Sequence, residues 1–106
     1  MKKEIMDKII AFSKERNWDQ FHTGANLAKA LSVEANEVLE LFLWQDDPTS
    51  IDDLKDELAD VLVYVAYLCD KYHFNMDEIV NVKMEKNAKK YPVEKCYGKS
   101  TKYDKL

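Results

Sequence analysis

Four acidic residues fall in two pairs of equal spacing: Glu34 with Glu37, and Glu57 with Asp60. Residues three apart are neighbours on a helix surface, so each pair can share one cation. A helix advances about 100° per residue, which places each acid around its axis. With Leu27 as the reference, Leu31 and Val38 lie within about 40° on one side and Leu41 about 40° on the other. Glu34 falls between them, inside the apolar stripe. Glu37 lies about 60° further round, at the border, and Glu40 lies beyond it toward the polar face. The second pair repeats this pattern against a stripe of Leu54, Leu58, Val61, Val65 and Leu68. Glu57 is at the edge of that stripe and Asp60 about 60° beyond.

A lone carboxylate in a buried stripe takes up a proton unless something compensates its charge. The compensation for Glu34 is a partly exposed stripe, a basic partner or a metal. Two antiparallel helices with such pairs would gather four carboxylates, which repel unless a hard divalent cation sits among them. Oxygen-only ligands favour Mg²⁺, with Mn²⁺ as a substitute, over zinc. Mg²⁺ held by a few carboxylates commonly also holds substrate phosphates. A solvated acidic face is the bland alternative. Asp52, Asp53 and Asp56 fit it, because an early helical position favours negative charge.

The elements that must position these acids are helices. Only two Gly and two Pro occur, which predicts a few long elements with short connections. Ile5, Ile9, Ile10 and Phe12 recur at helical spacing over residues 2–16. The segment 18–24, WDQFHTG, is aperiodic and reads as a structured loop. A second helix is predicted from Ala25 to Trp44, followed by the linker QDDPTS with its breaker Pro48. Ser50 with Asp53 resembles a capping box and opens a third helix to about Tyr72. Asn75 with Glu78 opens a fourth, ending before Pro92. The fold class expected is all-α: a four-helix bundle-like arrangement in a single domain, 1–106, with an irregular tail over about 92–106.

Trp18 and Trp44 are large rings flanked by polar residues, on which a flat base could stack. Phe21 and Tyr67 are expected in the core, and His22 as a hydrogen-bonding loop residue that could reach a base or phosphate. Lysines cluster late on the fourth helix, where cations suit a helix C-terminus. Lys83 and Asn87 share one face there and could hold phosphate oxygens. The string GKST at 98–101 lacks the upstream glycine and the strand–loop–helix setting of a phosphate-binding loop.

The formal net charge of −4 disfavours a general nucleic-acid binder. Hydrophobic residues at 46% and charged residues at 34% suit a folded globular chain rather than a disordered one. Cys69 reads as a core residue and Cys96 as a loop thiol, with no CxxC spacing. The longest apolar run, Val61 to Cys69, is far short of the roughly 20 residues that span a bilayer. Neither a signal peptide nor a membrane partner is expected, and a cytoplasmic setting is the default.

These residues resemble those of the MazG-like, all-α nucleoside triphosphate pyrophosphohydrolases, and within them the dCTP pyrophosphatase-type branch. The family's ExxE and ExxD pairs correspond to Glu34–Glu37 and Glu57–Asp60. WDQFHT, ELFLW, ELADVLVY, KMEKNAKKYP and the terminal KY follow in the expected order over nearly the whole chain. One departure is Asn36, where members often have Gly.

The resemblance implies Mg²⁺-dependent hydrolysis of a nucleoside triphosphate, dCTP or a modified deoxynucleotide among the candidates, to monophosphate and pyrophosphate. It implies Glu34, Glu37, Glu57 and Asp60 as metal ligands. Trp18, His22, Trp44 and Tyr64 would line the base pocket, while Lys83 and Asn87 would face phosphates. Glu37 or Glu40 would accept the proton of the attacking water. It also implies a homo-oligomer, a dimer or tetramer, and the nearly all-round apolar run VLVYVAYLC agrees with that.

The rival readings are a helical interaction module with a surface acidic patch and a relative acting on another phosphorylated nucleotide. A ferritin-like di-iron protein is a further rival, but it requires Glu-x-x-His pairs, which this chain lacks.

Overall fold

The computed structural model describes residues 1–106 and is all-helical. It comprises α1 (Lys3–Glu15), α2 (Gly24–Glu40), α3 (Ile51–Lys71), α4 (Met76–Lys90) and the single turn α5 (Val93–Cys96). Short 3₁₀ turns cover Asp19–Phe21 and Tyr103–Lys105. The chain divides into two compact units, Met1–Phe74 and Asn75–Leu106. No helix is long and apolar enough to cross a membrane.

Within the first unit, α2 and α3 pack most extensively and α1 lies on α3. Two helices end in the same device. After α1, Asn17 adopts φ 54°, and Trp18 N–H donates to Ser13 C=O at 2.9 Å while Asn17 N–H donates to Lys14 C=O at 3.0 Å. After α3, His73 adopts φ 60°, with Phe74 N–H on Cys69 C=O at 2.8 Å and His73 N–H on Asp70 C=O at 3.3 Å. This crossed pattern satisfies the terminal carbonyls and turns the chain sharply. At α1 it folds Trp18 back toward Ser13.

The helix starts follow from their caps. Thr23 Oγ1 accepts from Asn26 N–H at 3.1 Å, and Ser50 Oγ accepts from Asp53 N–H at 3.2 Å. In the second unit, Asn75 Oδ1 accepts from Glu78 N–H at 3.0 Å. Such caps satisfy donors that the first helical turn cannot pair.

Helix α2 stops four residues before the predicted Trp44. Leu41 N–H and Phe42 N–H bond to Val38 and Leu39 carbonyls, tightening the last turn to 3₁₀ geometry. Trp44 then takes φ 65°, which ends the helix, and Thr49 N–H closes the loop onto Leu41 C=O at 3.0 Å.

Leu27, Ala66, Tyr67 and Cys69 form the buried apolar centre. Tyr67 and Cys69 thus occupy the core places the sequence suggested. Phe21 does not: its ring is 59% exposed. Its backbone is what the loop uses, since Phe21 C=O accepts from Asn26 Nδ2 at 2.9 Å and from Thr23 N–H at 3.0 Å. Leu58 of the expected α3 stripe is also exposed, as are Leu62, Val33 and Leu39. Three helices cannot cover every apolar face of α2 and α3.

In the second unit the tail is more ordered than expected. Tyr103 N–H donates to the Tyr91 hydroxyl at 3.2 Å, their rings meet edge-on at 6.0 Å, a spacing typical of aromatic pairs, and Lys90 Nζ lies 4.7 Å from the Tyr103 ring centroid. These contacts tie the terminal KY to the KKYP segment.

Candidate metal centre and adjoining cavity

The stripe position of Glu34 on α2 and the edge position of Glu57 on α3 bring both carboxylates to one place in the first unit. Glu34, Glu37 and Glu57, each half-buried, offer carboxylate oxygens that all lie within 4.8 Å of one another. Oε2 of Glu34 and Oε2 of Glu57 are buried without a hydrogen-bond partner. None of the three acids forms an ion pair with Lys or Arg.

This proximity raises the carboxyl pKa values. Glu34 is pushed up first by burial, then by the Glu37 carboxyl beside it and the charge of Asp60. Glu57 is pushed up to about 7, chiefly by a hydrogen bond with Glu37, with burial and the neighbouring acidic charges adding to it. Glu57 therefore keeps its proton to a higher pH than a water-exposed carboxyl would. Buried, unpartnered oxygens from two helices and the absence of soft ligands fit a hard divalent cation, which can replace that proton.

Asp60 is exposed and stands outside the close trio, but it lines the same cavity as Glu34. That cavity, about 370 Å³, opens beside the acids. One wall is Lys8, Ile9 and Phe12 of α1, another is Val63, Tyr64 and Tyr67 of α3, and Trp18 and His22 of the connecting loop complete it. The rings interlock: Phe12 and Trp18 meet edge-on at 5.7 Å, His22 and Tyr67 are 4.7 Å apart, and Tyr64 and Tyr67 meet at 5.9 Å. Burial pushes the Tyr64 and Tyr67 phenols up, so both remain protonated donors at neutral pH. An aromatic chamber with carboxylates at one side suits a flat ring joined to a cation-bound anion.

The structure gathers Glu34, Glu37 and Glu57 in one cluster, and it places Glu34 and Asp60 in the wall of one cavity with Trp18, His22 and Tyr64. Trp44 is fully exposed and does not line the cavity. Glu40 is exposed, with its Oε1 accepting from Asn36 Nδ2 at 3.4 Å. Lys83 and Asn87 lie one turn apart on α4 in the second unit, Lys83 exposed and Asn87 half-buried.

Sequence reasoning missed the α1 wall and assigned Tyr67 to the core alone. Tyr67 serves both, being buried and cavity-lining. Ser13 was missed as well. It continues the Ile5–Ile9 row of α1, and a polar residue on an apolar row is the signal that could have found it.

The fold and site define an all-α protein with a carboxylate cluster suited to a divalent cation. The MazG-like family model matches residues 29–106, and the chain belongs to that family. Mouse (Mus musculus) dCTP pyrophosphatase 1 is 38% identical over 104 residues, covering 90% of this chain and 61% of that protein. The human (Homo sapiens) dCTP pyrophosphatase 1 is 36% identical, covering 90% of this chain and 61% of that protein. The chain thus spans about three-fifths of the length of these curated relatives. A crystal structure of a pyrophosphatase from Archaeoglobus fulgidus superposes with a TM-score of 0.76 at 39% identity, covering 85% of this chain and 91% of that one.

Proposed function

We propose that this chain hydrolyses a deoxynucleoside triphosphate, dCTP or a modified relative of it, to the monophosphate and pyrophosphate, using Mg²⁺. The observation that carries this reading is the carboxylate cluster with its two orphaned buried oxygens, opening directly onto an aromatic cavity. Its support from relatives is the activity for which the mouse and human proteins and the archaeal pyrophosphatase are named.

Glu34, Glu37, Glu57 and Asp60 would hold the metal. A divalent cation held there would neutralise charge on phosphoryl oxygens and make a water more acidic. Glu37 touches both neighbouring acids, and its carboxylate takes the proton of the attacking water. Glu40, exposed and bonded to Asn36, is the weaker choice for that role. The water oxygen bonds to the α-phosphorus, the bond from that phosphorus to the bridging oxygen breaks, and pyrophosphate leaves with the electron pair.

Trp18, His22 and Tyr64 would enclose the base, the indole by stacking and the others through polar contacts. Trp44 would offer its exposed ring as a second stacking surface. Lys83 and Asn87 would contact phosphate oxygens. A second copy of the chain would cover Val33, Leu39, Leu58 and Leu62, which lie exposed on α2 and α3. A dimer or tetramer is therefore the expected assembly.

The test is pyrophosphate release from a panel of nucleoside triphosphates with Mg²⁺, repeated in EDTA. Release from a deoxycytidine triphosphate, abolished by EDTA, is the expected result. No release from any triphosphate, or release unaffected by EDTA, overturns the proposal.

A further inference from the structure

Ser13 is the one buried polar residue, at 1% exposure, and it carries no part of the chemistry above. Its hydroxyl lies 2.7 Å from Asp19 Oδ1 and 3.1 Å from Ile10 C=O. A hydroxyl has a single proton, and the shorter bond, to a charged acceptor, is the stronger. Asp19 is further held by Lys14, whose Nζ is 3.3 Å from Oδ2. Asp19 Oδ1 also faces His22 Nδ1 at 3.9 Å, and His22 N–H donates to Asp19 C=O at 3.1 Å.

These contacts fall at one point of the chain. Asp19 sits between Trp18 and His22, the two loop residues that line the cavity. Trp18 is itself tied to Ser13, through its backbone N–H. The His22 ring stands between the Asp19 carboxylate, 3.9 Å from its Nδ1, and the Tyr67 ring at 4.7 Å. An exposed loop acid could be satisfied by water, whereas here a buried hydroxyl is committed to it. Removing Asp19 would leave that hydroxyl with only the longer bond.

We propose that Ser13 and Asp19 are positioning residues that fix His22 against Tyr67 in the cavity wall and thereby set affinity for the nucleoside end of the substrate. The proposal rests on the reading that the cavity takes that end. It adds residues that never touch the substrate but determine how one contacting side chain is presented.

The experiment is calorimetric titration of deoxycytidine monophosphate, without metal, into the wild type, Asp19→Asn, His22→Ala and the double variant. Asp19→Asn should weaken binding about tenfold, a coupling of ordinary size for residues in contact. In the His22→Ala background the same substitution should change affinity less than about twofold, because its effect passes through His22. A merely structural role would weaken both backgrounds equally, and that outcome overturns the proposal. So does wild-type affinity in Asp19→Asn. If that variant does not fold, Ser13→Ala, which removes the donor and keeps the charge, provides the same comparison in both backgrounds. A wild type that binds no monophosphate overturns the cavity reading and this inference together, whereas binding that is indifferent to Asp19 and Ser13 overturns the inference alone.

Discussion

Glu34 on α2 and Glu57 on α3 each turn a buried, unpartnered Oε2 into one cluster, with Glu37 between them in contact range. Both oxygens are buried, and no lysine or arginine pairs with them. This mutual repulsion across two helices is the physical core of the account.

Neutralising one member should therefore separate stability from chemistry. Glu34→Gln keeps the shape and removes a charge that burial and its neighbours disfavour. The metal-free variant should melt at or above the wild-type temperature, while pyrophosphate release falls on the order of 100-fold or more, as expected for losing several kcal/mol of metal assistance. Differential scanning fluorimetry in EDTA beside the activity assay checks both. A variant that is destabilised yet active would contradict the assignment.

The same repulsion fixes the sign of a pH effect. Glu57 ionises at an ordinary value of 4.5 when unfolded and at about 7 when folded, so over that window the folded state binds more protons. Stability contributed by this group is full below 4.5 and lost as pH rises through about 7. Glu34 is shifted in the same direction. Melting temperature in EDTA should fall from pH 5 toward pH 8 more steeply in the wild type than in Glu57→Gln. Equal slopes would show that Glu57 is not raised.

Trp18, half-exposed and edge-on to Phe12, lines the cavity. Base stacking on an aromatic contributes about 1–3 kcal/mol. Trp18→Ala should raise KM roughly tenfold or more with a smaller effect on kcat, read from steady-state kinetics. A fall in kcat alone would move Trp18 away from the base.

Ser50 caps α3 well before its acids. Ser50→Ala should cost about 1 kcal/mol, lowering the melting temperature by about 4–8 °C while leaving KM unchanged. Thermal melts and kinetics on the same sample test whether the cap is structural only.

The acids were legible in the sequence because helical periodicity is local: Glu34 interrupts a stripe, and each pair repeats at three residues. The starts of α3 and α4 were legible for the same reason, since Ser50 and Asn75 cap through neighbours three residues on. What was not legible depends on parts of the chain brought together by folding. The early end of α2 depends on a left-handed Trp44, a conformation that no bulky residue advertises. The exposure of Phe21 follows from a loop held by its backbone. The α1 wall of the cavity, and Ser13 bonded to Asp19, exist only once the chain reverses at Asn17. The site was therefore readable where its residues sit on one helix, and hidden where it spans α1, the loop and α3.

Cation binding measured directly is the sharpest test of the central claim. Mn²⁺ should be titrated calorimetrically at pH 6.5 into the wild type and into Glu57→Gln, in two buffers of different ionisation enthalpy. The wild type should bind saturably with release of protons, because the cation displaces the proton that Glu57 retains at this pH. Affinity should be weakened on the order of 100-fold in Glu57→Gln, from the several kcal/mol lost with one charged ligand. Absence of saturable binding in the wild type, or undiminished binding in Glu57→Gln, would contradict the claim.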